Sequence, residues 1–187
     1  MRLFVGIPLA AAVLSELSAV VARLRSNGDA LRWMEPASWH ITLQFLGNTD
    51  PDQYECLVAR LGEVRSRPVP VHLGELGFFD RAGVLFADVT PGDALVSLAG
   101  CVTTATALCG FVAETRRFHP HITLARAKGQ SGSQPLRALQ QKIHRQPAFS
   151  PFLAAEFLLY ESHLSPAGST YEVRHRFPLA AAVRPTL

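Results

Sequence analysis

The tetrapeptide His-Ile-Thr-Leu occurs twice in this chain, once beginning at His40 and again beginning at His121. Each copy lies in a short run of apolar, β-branched and aromatic residues, which is typical of a β-strand. Successive side chains of a strand alternate between its two faces, so the histidine and the threonine of each copy share one face. The isoleucine and the leucine then point to the opposite face, where a hydrophobic core can form. The repeat therefore predicts two strands that each present an imidazole beside a hydroxyl group.

The remainder of the chain predicts helices interleaved with further strands. From apolar periodicity and turn residues we expect helices over about 10–26, 51–65, 92–109 and 135–145. Besides the two strands that carry the tetrapeptide, we expect strands over about 2–8, 31–34, 69–79, 84–89, 155–164 and 171–179. Turns near 80–83 and 165–168 are typical of hairpins. This order predicts an α+β fold with mainly antiparallel sheets. Because no linker divides residues 1–187, we expect one domain of two lobes, with one motif in each.

The N-terminus and the cysteines bear on the cellular setting. A basic start followed by apolar residues resembles a signal peptide, but Pro8 interrupts the apolar stretch, so a strand leading into an amphipathic helix fits better. No stretch reaches the roughly 18 apolar residues of a membrane span. Cys56, Cys101 and Cys109 form no C-x-x-C pair, which argues against a disulfide framework and a zinc site. We expect Cys101 and Cys109 to be buried thiols, and a reducing, cytoplasmic compartment follows.

The charge of the chain is compatible with an anionic partner without demonstrating one. The formal net charge is +3, and basic residues surround the second motif at Arg116, Arg117, Arg126 and Lys128. Near the first motif stand Arg32 and Trp33. Arginines and aromatic rings in a cleft could hold the phosphate of a nucleotide and stack its base. Solvated surface charges and a core tryptophan would explain the same residues, and strand alternation allows Arg126 to face the cleft without requiring it.

Two imidazoles across a cleft form a natural pair of general acid and general base, because their reference pKa of about 6.5 lies near physiological pH. The neutral ring takes a proton from the attacking nucleophile, and the protonated ring delivers one to the leaving oxygen. The threonine hydroxyls would hold the non-bridging oxygens of a phosphate. The other histidines are isolated in the sequence, and we expect them at the surface or partly packed, namely His72, His144, His163 and His175. Strand alternation could place His119 on the face of His121.

The pair of motifs and their flanks resemble the two-histidine phosphoesterases. Within that superfamily the chain is most similar to the bacterial and archaeal RNA 2′,3′-cyclic phosphodiesterases, also known as the 2′-5′ RNA ligase family. The similarity spans nearly the whole chain and is carried by residues 1–8, Arg32-Trp33, 40–47, 117–126, Tyr160-Glu161-Ser162, Gly168 and Tyr171. The resemblance implies two lobes whose antiparallel sheets face a central cleft, with helices outside.

The resemblance also implies a reaction, namely opening of a terminal RNA 2′,3′-cyclic phosphate to a 2′-phosphate. His40 would be the proton donor to the leaving 3′ oxygen, and His121 the proton acceptor from water. Thr42, Thr123 and Arg126 would bind the phosphate, with no metal ion or other cofactor. An RNA 5′-hydroxyl in place of water would give 2′-5′ ligation. The implied partners are RNA ends with a cyclic phosphate, such as tRNA halves, or small cyclic nucleotides. Because nothing in the sequence shows a surplus amphipathic surface, we expect a monomer.

Two alternatives remain open at the level of the sequence. One is a non-catalytic module that binds RNA ends or nucleotides, and the other is a cyclic phosphodiesterase acting on a different small nucleotide. The sequence alone does not decide which histidine is the acid. His119 stands where relatives more often carry Arg or Lys, so contacts with the substrate can differ at this position. A Gly-rich phosphate loop is absent, which argues against a nucleotide-dependent kinase or dehydrogenase.

Overall fold

A computed structural model describes residues 1–26, 28, 30–128, 134–143, 148–165 and 168–180. Within these residues the helices are α1 (Ala11–Leu24), α2 (Pro51–Gly62), α3 (Asp93–Ala107) and the single turns α4 (Gln134–Arg137) and α5 (Gln140–Ile143). The strands are β1 (Arg2–Pro8), β2 (Leu31–Trp33), β3 (His40–Asn48), β4 (Val69–Val71), β5 (Leu73–Phe79), β6 (Val84–Val89), β7 (His121–Ala127), β8 (Phe152–Ala154), β9 (Glu156–Ser165) and β10 (Gly168–Pro178). Helices and strands interleave as the sequence predicts, which confirms the α+β class.

The strands form two four-stranded sheets, and each sheet contains one of the two motif strands. The first sheet has the order β10-β9-β1-β3 and the second the order β2-β7-β6-β5, with antiparallel pairing throughout. A separate two-stranded sheet pairs β4 with β8. The motif strands β3 and β7 are not hydrogen-bonded to each other, but their Cα atoms approach within 8 Å. The fold therefore brings the two motifs together from different sheets.

One hydrophobic cluster connects the two large sheets and the three long helices. Ile41 and Ile122 of the motif strands are both fully buried in it, as strand alternation predicts. Helix α1 packs against the same cluster through an apolar face formed by Val13, Leu17, Val20, Val21 and Leu24. Burial of each large apolar side chain contributes roughly 1.5–3 kcal/mol. The motif strands are thus anchored by their core faces, which leaves the opposite faces available for function.

The structure departs from the sequence prediction at the strand expected over 69–79. This segment divides at His72 into β4, which pairs with β8, and β5, which pairs with β6. Pro70 lies in β4, and because proline has no N–H to donate, it suits a short strand with a single partner. The predicted helix 135–145 is two single turns, and His144 lies outside the described residues, as do residues 166 and 167 of the predicted hairpin turn.

The expectation of three free cysteines is wrong. Cys56 of α2 and Cys109, which follows α3, form a disulfide with their Cα atoms 5.8 Å apart, although 53 positions separate them in the sequence. Cys101 is exposed, not buried. Side-by-side packing of α2 and α3 creates this pairing, and cysteine spacing along the chain does not reveal such packing. The argument for a reducing compartment therefore no longer holds. No helix within the described residues is long and apolar enough to cross a membrane.

Candidate active site

Strand β7 carries a β-bulge at the last residue of the second motif. Thr123 and Ala125 lie opposite consecutive residues of β6, so Leu124 is an additional residue in this strand. Leu124 and Ala125 are both buried, which breaks the regular alternation of faces. Arg126 is exposed and returns to the face that carries His121 and Thr123. The bulge therefore places an arginine on the same side as the second His/Thr pair.

Strand β3 has the same irregularity at the same point of the first motif. Thr42 and Gln44 lie opposite consecutive residues of β1, and Leu43 is the additional residue. The first seven residues of β3 and the seven residues of β7 have the same sequence of buried, partly buried and exposed positions. Gln44, which follows the additional residue, is buried, and its Oε1 atom accepts a hydrogen bond of 2.8 Å from the Oγ1 atom of Thr106 in α3. The two motif strands are thus alike in backbone geometry as well as in sequence.

The His40 ring is held in one tautomer by its backbone neighbour. Its Nδ1 atom lies 2.8 Å from the carbonyl oxygen of Ser38, and because a carbonyl can only accept, Nδ1 carries the proton. The Nε2 atom of the neutral ring is then an acceptor, and the Thr42 hydroxyl donates to it over 3.1 Å. Phe4 and Tyr171 enclose the ring, with centroids at 4.6 and 5.1 Å. His40 therefore presents a single, oriented nitrogen.

His121 is held in the same way. Its Nδ1 atom donates to the carbonyl oxygen of His119, two residues before it, over 2.8 Å. Phe79 and Phe86 surround the ring edge-on, with centroids at 4.9 and 5.6 Å. Both histidines of the two motifs consequently have the proton on Nδ1, so Nε2 is the nitrogen that can gain a proton.

The electrostatics of the two rings are coupled. Burial lowers the pKa of His40 from its usual 6.5 to about 4, against the opposing hydrogen bond to Ser38, and the charge of His121 lowers this pKa further. Burial also lowers the pKa of His121, although its bond to His119 opposes this. The positive charges of His119 and Arg126 add to the depression of the His121 pKa. Because protonation of one ring disfavours protonation of the other, the state with both rings protonated is unfavourable near neutral pH.

Comparison with known proteins assigns this arrangement to a family. The family model of the 2′-5′ RNA ligase superfamily matches residues 13–165, which include both motifs. The protein belongs to the 2′-5′ RNA ligase superfamily. This confirms the family that the sequence motifs predict.

Individual members of the superfamily cover nearly all of the chain. The RNA 2′,3′-cyclic phosphodiesterase of Bacillus subtilis is 28% identical over 95% of this chain and 96% of its own length. That of Geobacillus stearothermophilus is 28% identical over 96% of this chain, which spans 57% of that longer protein. The crystal structure of E. coli LigT complexed with 3′-AMP has a TM-score of 0.78 and 25% identity, covering 96% of this chain and 98% of LigT.

Next to the two motifs of this superfamily member lies a histidine–carboxylate pair. The Nε2 atom of His119 donates to the Oδ1 atom of Asp88 over 3.0 Å, and its ring centroid lies 5.9 Å from that of His121. Asp88 lies opposite His121 in the pairing of β6 with β7. Its negative charge opposes the depression of the His121 pKa. His119 thus lies beside the site, and so does Asp88, which no motif in the sequence indicates.

Most of the other residues considered from the sequence have their contacts away from the two motifs. Trp33 is 9% exposed and packs in the core, so the interpretation as a base-stacking residue is wrong. Arg116 is exposed and pairs with Glu114 at 3.1 Å. His163 pairs with Glu172 at 3.3 Å. His72, Lys128 and His175 are exposed at the surface. Arg117 is also exposed, and it lines a pocket together with Asp88 and His119 beside the site. Phe79 and Phe86 could not be predicted as neighbours of His121 from the sequence, because their contacts depend on how β5 and β6 pair with β7.

Proposed function

We propose that this superfamily member is an RNA 2′,3′-cyclic phosphodiesterase that opens the terminal cyclic phosphate to a 2′-phosphate. The observation that carries the proposal is the matched pair His40 and His121, oriented alike, coupled in charge and each accompanied by a threonine on the same face. Such a pair suits the transfer of one proton in and one proton out. The names of the relatives from Bacillus subtilis and Geobacillus stearothermophilus support the choice of substrate.

In the proposed reaction the Nε2 atom of neutral His121 takes a proton from water. The water oxygen attacks phosphorus in line with the bond to O3′, and that bond breaks as the new bond forms. Protonated His40 delivers its Nε2 proton to O3′, which leaves as a hydroxyl group. The products are a 2′-phosphate, neutral His40 and protonated His121, and one proton exchange with solvent restores the starting state. Each histidine contributes roughly 10²–10⁴ in rate.

Phosphate binding is proposed for Thr42, Thr123 and Arg126, with no metal ion required. The two hydroxyls would donate to the non-bridging oxygens, and the guanidinium would offset their charge. In the structure the Thr42 hydroxyl donates to the Nε2 atom of His40. Once that nitrogen is protonated it can no longer accept, so the hydroxyl becomes available to the phosphate. Protonation of the acid and binding of the phosphate therefore support each other.

The dependence of kcat/KM on pH follows from the two pKa values and does not depend on which histidine is the acid. The active state carries one proton on the pair. Below the His40 pKa of about 4 both rings are protonated and no base remains. Above the His121 pKa, which burial places below its usual 6.5, both are neutral and no acid remains. We expect kcat/KM to be greatest between these limits, and to fall about tenfold per pH unit below the lower limit and above the upper one.

The same reasoning predicts a different profile for kcat. A bound phosphate anion beside Nε2 favours the protonated ring, so the upper pKa of the complex rises. The optimum of kcat should therefore lie at higher pH than that of kcat/KM, as measured by steady-state hydrolysis of adenosine 2′,3′-cyclic phosphate. A kcat/KM that is constant from about pH 5 to 8 would contradict the assignment of both histidines.

Replacement of Gly6 by alanine should displace the His40 ring. A Cβ atom at Gly6 would lie 2.9 Å from the carbonyl oxygen of Ile41 and 3.3 Å from Cδ2 of His40. We expect kcat to fall about 10²-fold, since a catalytic group misplaced by about 1 Å can cost this much. Gly100→Ala is the matched control, because no atom lies within 4 Å of the added Cβ in α3. Wild-type kcat in folded Gly6→Ala would show that the close approach is not needed to orient His40.

The proposal is tested against a non-catalytic nucleotide-binding module by one experiment. Purified protein is mixed with adenosine 2′,3′-cyclic phosphate, binding is followed by calorimetry and the products are separated by chromatography. Conversion to adenosine 2′-phosphate is expected. Saturable binding without conversion would contradict the proposed enzyme and support the binding module. Supplying an RNA with a 5′-hydroxyl in the same reaction tests the reverse direction, in which that hydroxyl replaces water and a 2′-5′ linkage forms.

We also propose that the chain acts as a single two-lobed domain and as a monomer. The continuous hydrophobic cluster that joins both large sheets supports the first point. The second is supported by the position of both motifs, which come from the two sheets of one chain and interact electrostatically without a second copy.

A further inference from the structure

Two arginines lie directly opposite each other at the edge of the second sheet. Arg32 of β2 pairs in register with Arg126 of β7. Its neighbours Leu31 and Trp33 are buried, whereas both arginines are exposed. Directly opposed residues of an antiparallel pair project from the same face, so Arg32 shares the face of Arg126 and the second motif. Like charges in this position destabilise a sheet.

Within the part of the chain that the structure describes, neither guanidinium forms an ion pair with a carboxylate. Four other arginines do, namely Arg60, Arg116, Arg174 and Arg176. The charge of Arg126 acts on the His121 ring and lowers its pKa. Two neighbouring cations at the edge of the proposed phosphate-binding site indicate that an anionic ligand neutralises their positive charge.

The position of Arg32 relative to the other sheet indicates where that charge would lie. A Cβ atom at Gly168, where β10 begins, would be 3.6 Å from Cδ and 3.9 Å from an Nη atom of Arg32. The side chain therefore reaches from β2 to the first sheet and lies between the two sheets. Because β2 is one strand spacing, about 4.8 Å, beyond β7, Arg32 is further from the motif threonines than Arg126 is.

We propose that Arg32 binds the phosphodiester on the 5′ side of the terminal nucleotide, while Arg126 binds the cyclic phosphate. The planar guanidinium can donate two parallel hydrogen bonds to such a phosphate. The inference rests on the proposed phosphodiesterase function and refines its substrate, because it makes an RNA end a better substrate than a mononucleotide. A single phosphate held by both arginines is the competing arrangement, and the two arrangements differ in which substrate depends on Arg32.

The test compares two substrates that differ by one phosphodiester. One is adenosine 2′,3′-cyclic phosphate and the other is a dinucleotide with the same cyclic end and one additional phosphodiester. For Arg32→Gln we expect KM for the dinucleotide to rise about tenfold, with kcat unchanged, and both constants for the mononucleotide to stay within about twofold. The salt dependence of the dinucleotide KM should weaken by a slope of about 0.7, the value for one phosphate contact on a single strand. Arg32→Lys should recover part of the loss.

Two controls isolate the charge of Arg32. Arg67→Gln removes one positive charge from a position outside both large sheets and should change neither KM. A dinucleotide with an uncharged methylphosphonate in place of the phosphodiester should bind wild-type protein and Arg32→Gln alike. An equal rise in KM for both substrates would overturn the proposal in favour of one phosphate shared by both arginines. An unchanged KM for both substrates would overturn it as well. If wild-type protein converts neither substrate, the proposed function itself fails, and this proposal fails with it.

Discussion

Replacing His40 or His121 by alanine should reduce turnover of an RNA 2′,3′-cyclic phosphate by about 10³-fold or more and leave the protein folded. Either change removes one of two proton transfers, each of which contributes roughly 10²–10⁴ in rate. Both rings lie on the face opposite the main core, which stays intact in both variants. The His40 ring contacts a smaller aromatic cluster of Phe4, Tyr160 and Tyr171, so we expect His40→Ala to lower the unfolding midpoint without unfolding the protein. Single-turnover hydrolysis and the thermal unfolding midpoint of each variant give the two measurements.

His163→Ala is a matched control for these variants. His163 is exposed and pairs with Glu172 on the hairpin of β9 and β10, so its removal deletes an imidazole without touching either motif. We expect wild-type turnover from this variant. Unchanged turnover in both His40→Ala and His121→Ala would exclude the acid–base pair.

A substrate with a nitrophenyl leaving group distinguishes the two roles. A nitrophenolate leaves without a proton, so a variant that lacks only the acid should recover most of its activity on a nitrophenyl phosphodiester. We expect this recovery for His40→Ala and not for His121→Ala. The opposite pattern would exchange the roles of acid and base while retaining the paired mechanism. The low pKa of His40 in the free protein makes this comparison informative, because the bound phosphate must raise that pKa before His40 can donate.

Replacing Thr42 or Thr123 by valine should lower kcat about 10²-fold. Valine has nearly the shape of threonine but lacks the hydroxyl, and loss of one donor to charge developing in a transition state typically costs about 10²–10³. The serine variants keep the hydroxyl and should retain most of the activity. Rapid-quench measurement of the chemical step on a cyclic-phosphate RNA separates this effect from substrate binding.

The valine variants also test a purely structural role for the hydroxyls. If Thr42 served only to orient His40 through their 3.1 Å hydrogen bond, Thr42→Val would alter the pH profile and Thr123→Val would have little effect. Comparable losses in both variants, with the serine variants active, would agree with direct contact to the phosphate. Valine variants within about twofold of wild type would contradict that contact.

The sequence was sufficient to predict the two motif strands and their faces. Alternation over four residues determines which side chains share a face, and it correctly placed Ile41 and Ile122 in the core. The start of α2 also depends on local residues, because Asp50 directly precedes the helix and forms a capping box with Gln53 in its first turn, while Pro51 occupies the first helical position. These features depend on neighbours in the sequence, so one chain without relatives reveals them.

The face on which Arg126 lies could be determined only from the structure, although the sequence contains a weak signal of its cause. A bulge at Leu124 adds one residue and returns Arg126 to the face of His121. Two adjacent apolar residues, Leu124 and Ala125, stand where alternation needs one, and they are the sequence signal of that bulge. The pattern permits a bulge but equally permits the end of a strand, so the face of Arg126 could not be predicted from it.

Two other contacts between distant parts of the chain could not be predicted from the sequence. Asp88 meets His119 because of the register between β6 and β7, and register is set by packing of whole strands. The Cys56–Cys109 disulfide depends on the packing of α2 against α3. Neither contact leaves a signal in residue spacing.

The central claim is tested most directly by the product formed from a short RNA that ends in a 2′,3′-cyclic phosphate, incubated with the purified protein in the presence of EDTA. The mass of the product and its comparison with authentic 2′- and 3′-phosphate isomers identify the bond that breaks. We predict complete conversion to the 2′-phosphate with EDTA present. Recovery of unchanged cyclic phosphate from folded protein, or formation of the 3′-phosphate, would contradict the proposed attack and the proton transfer to O3′.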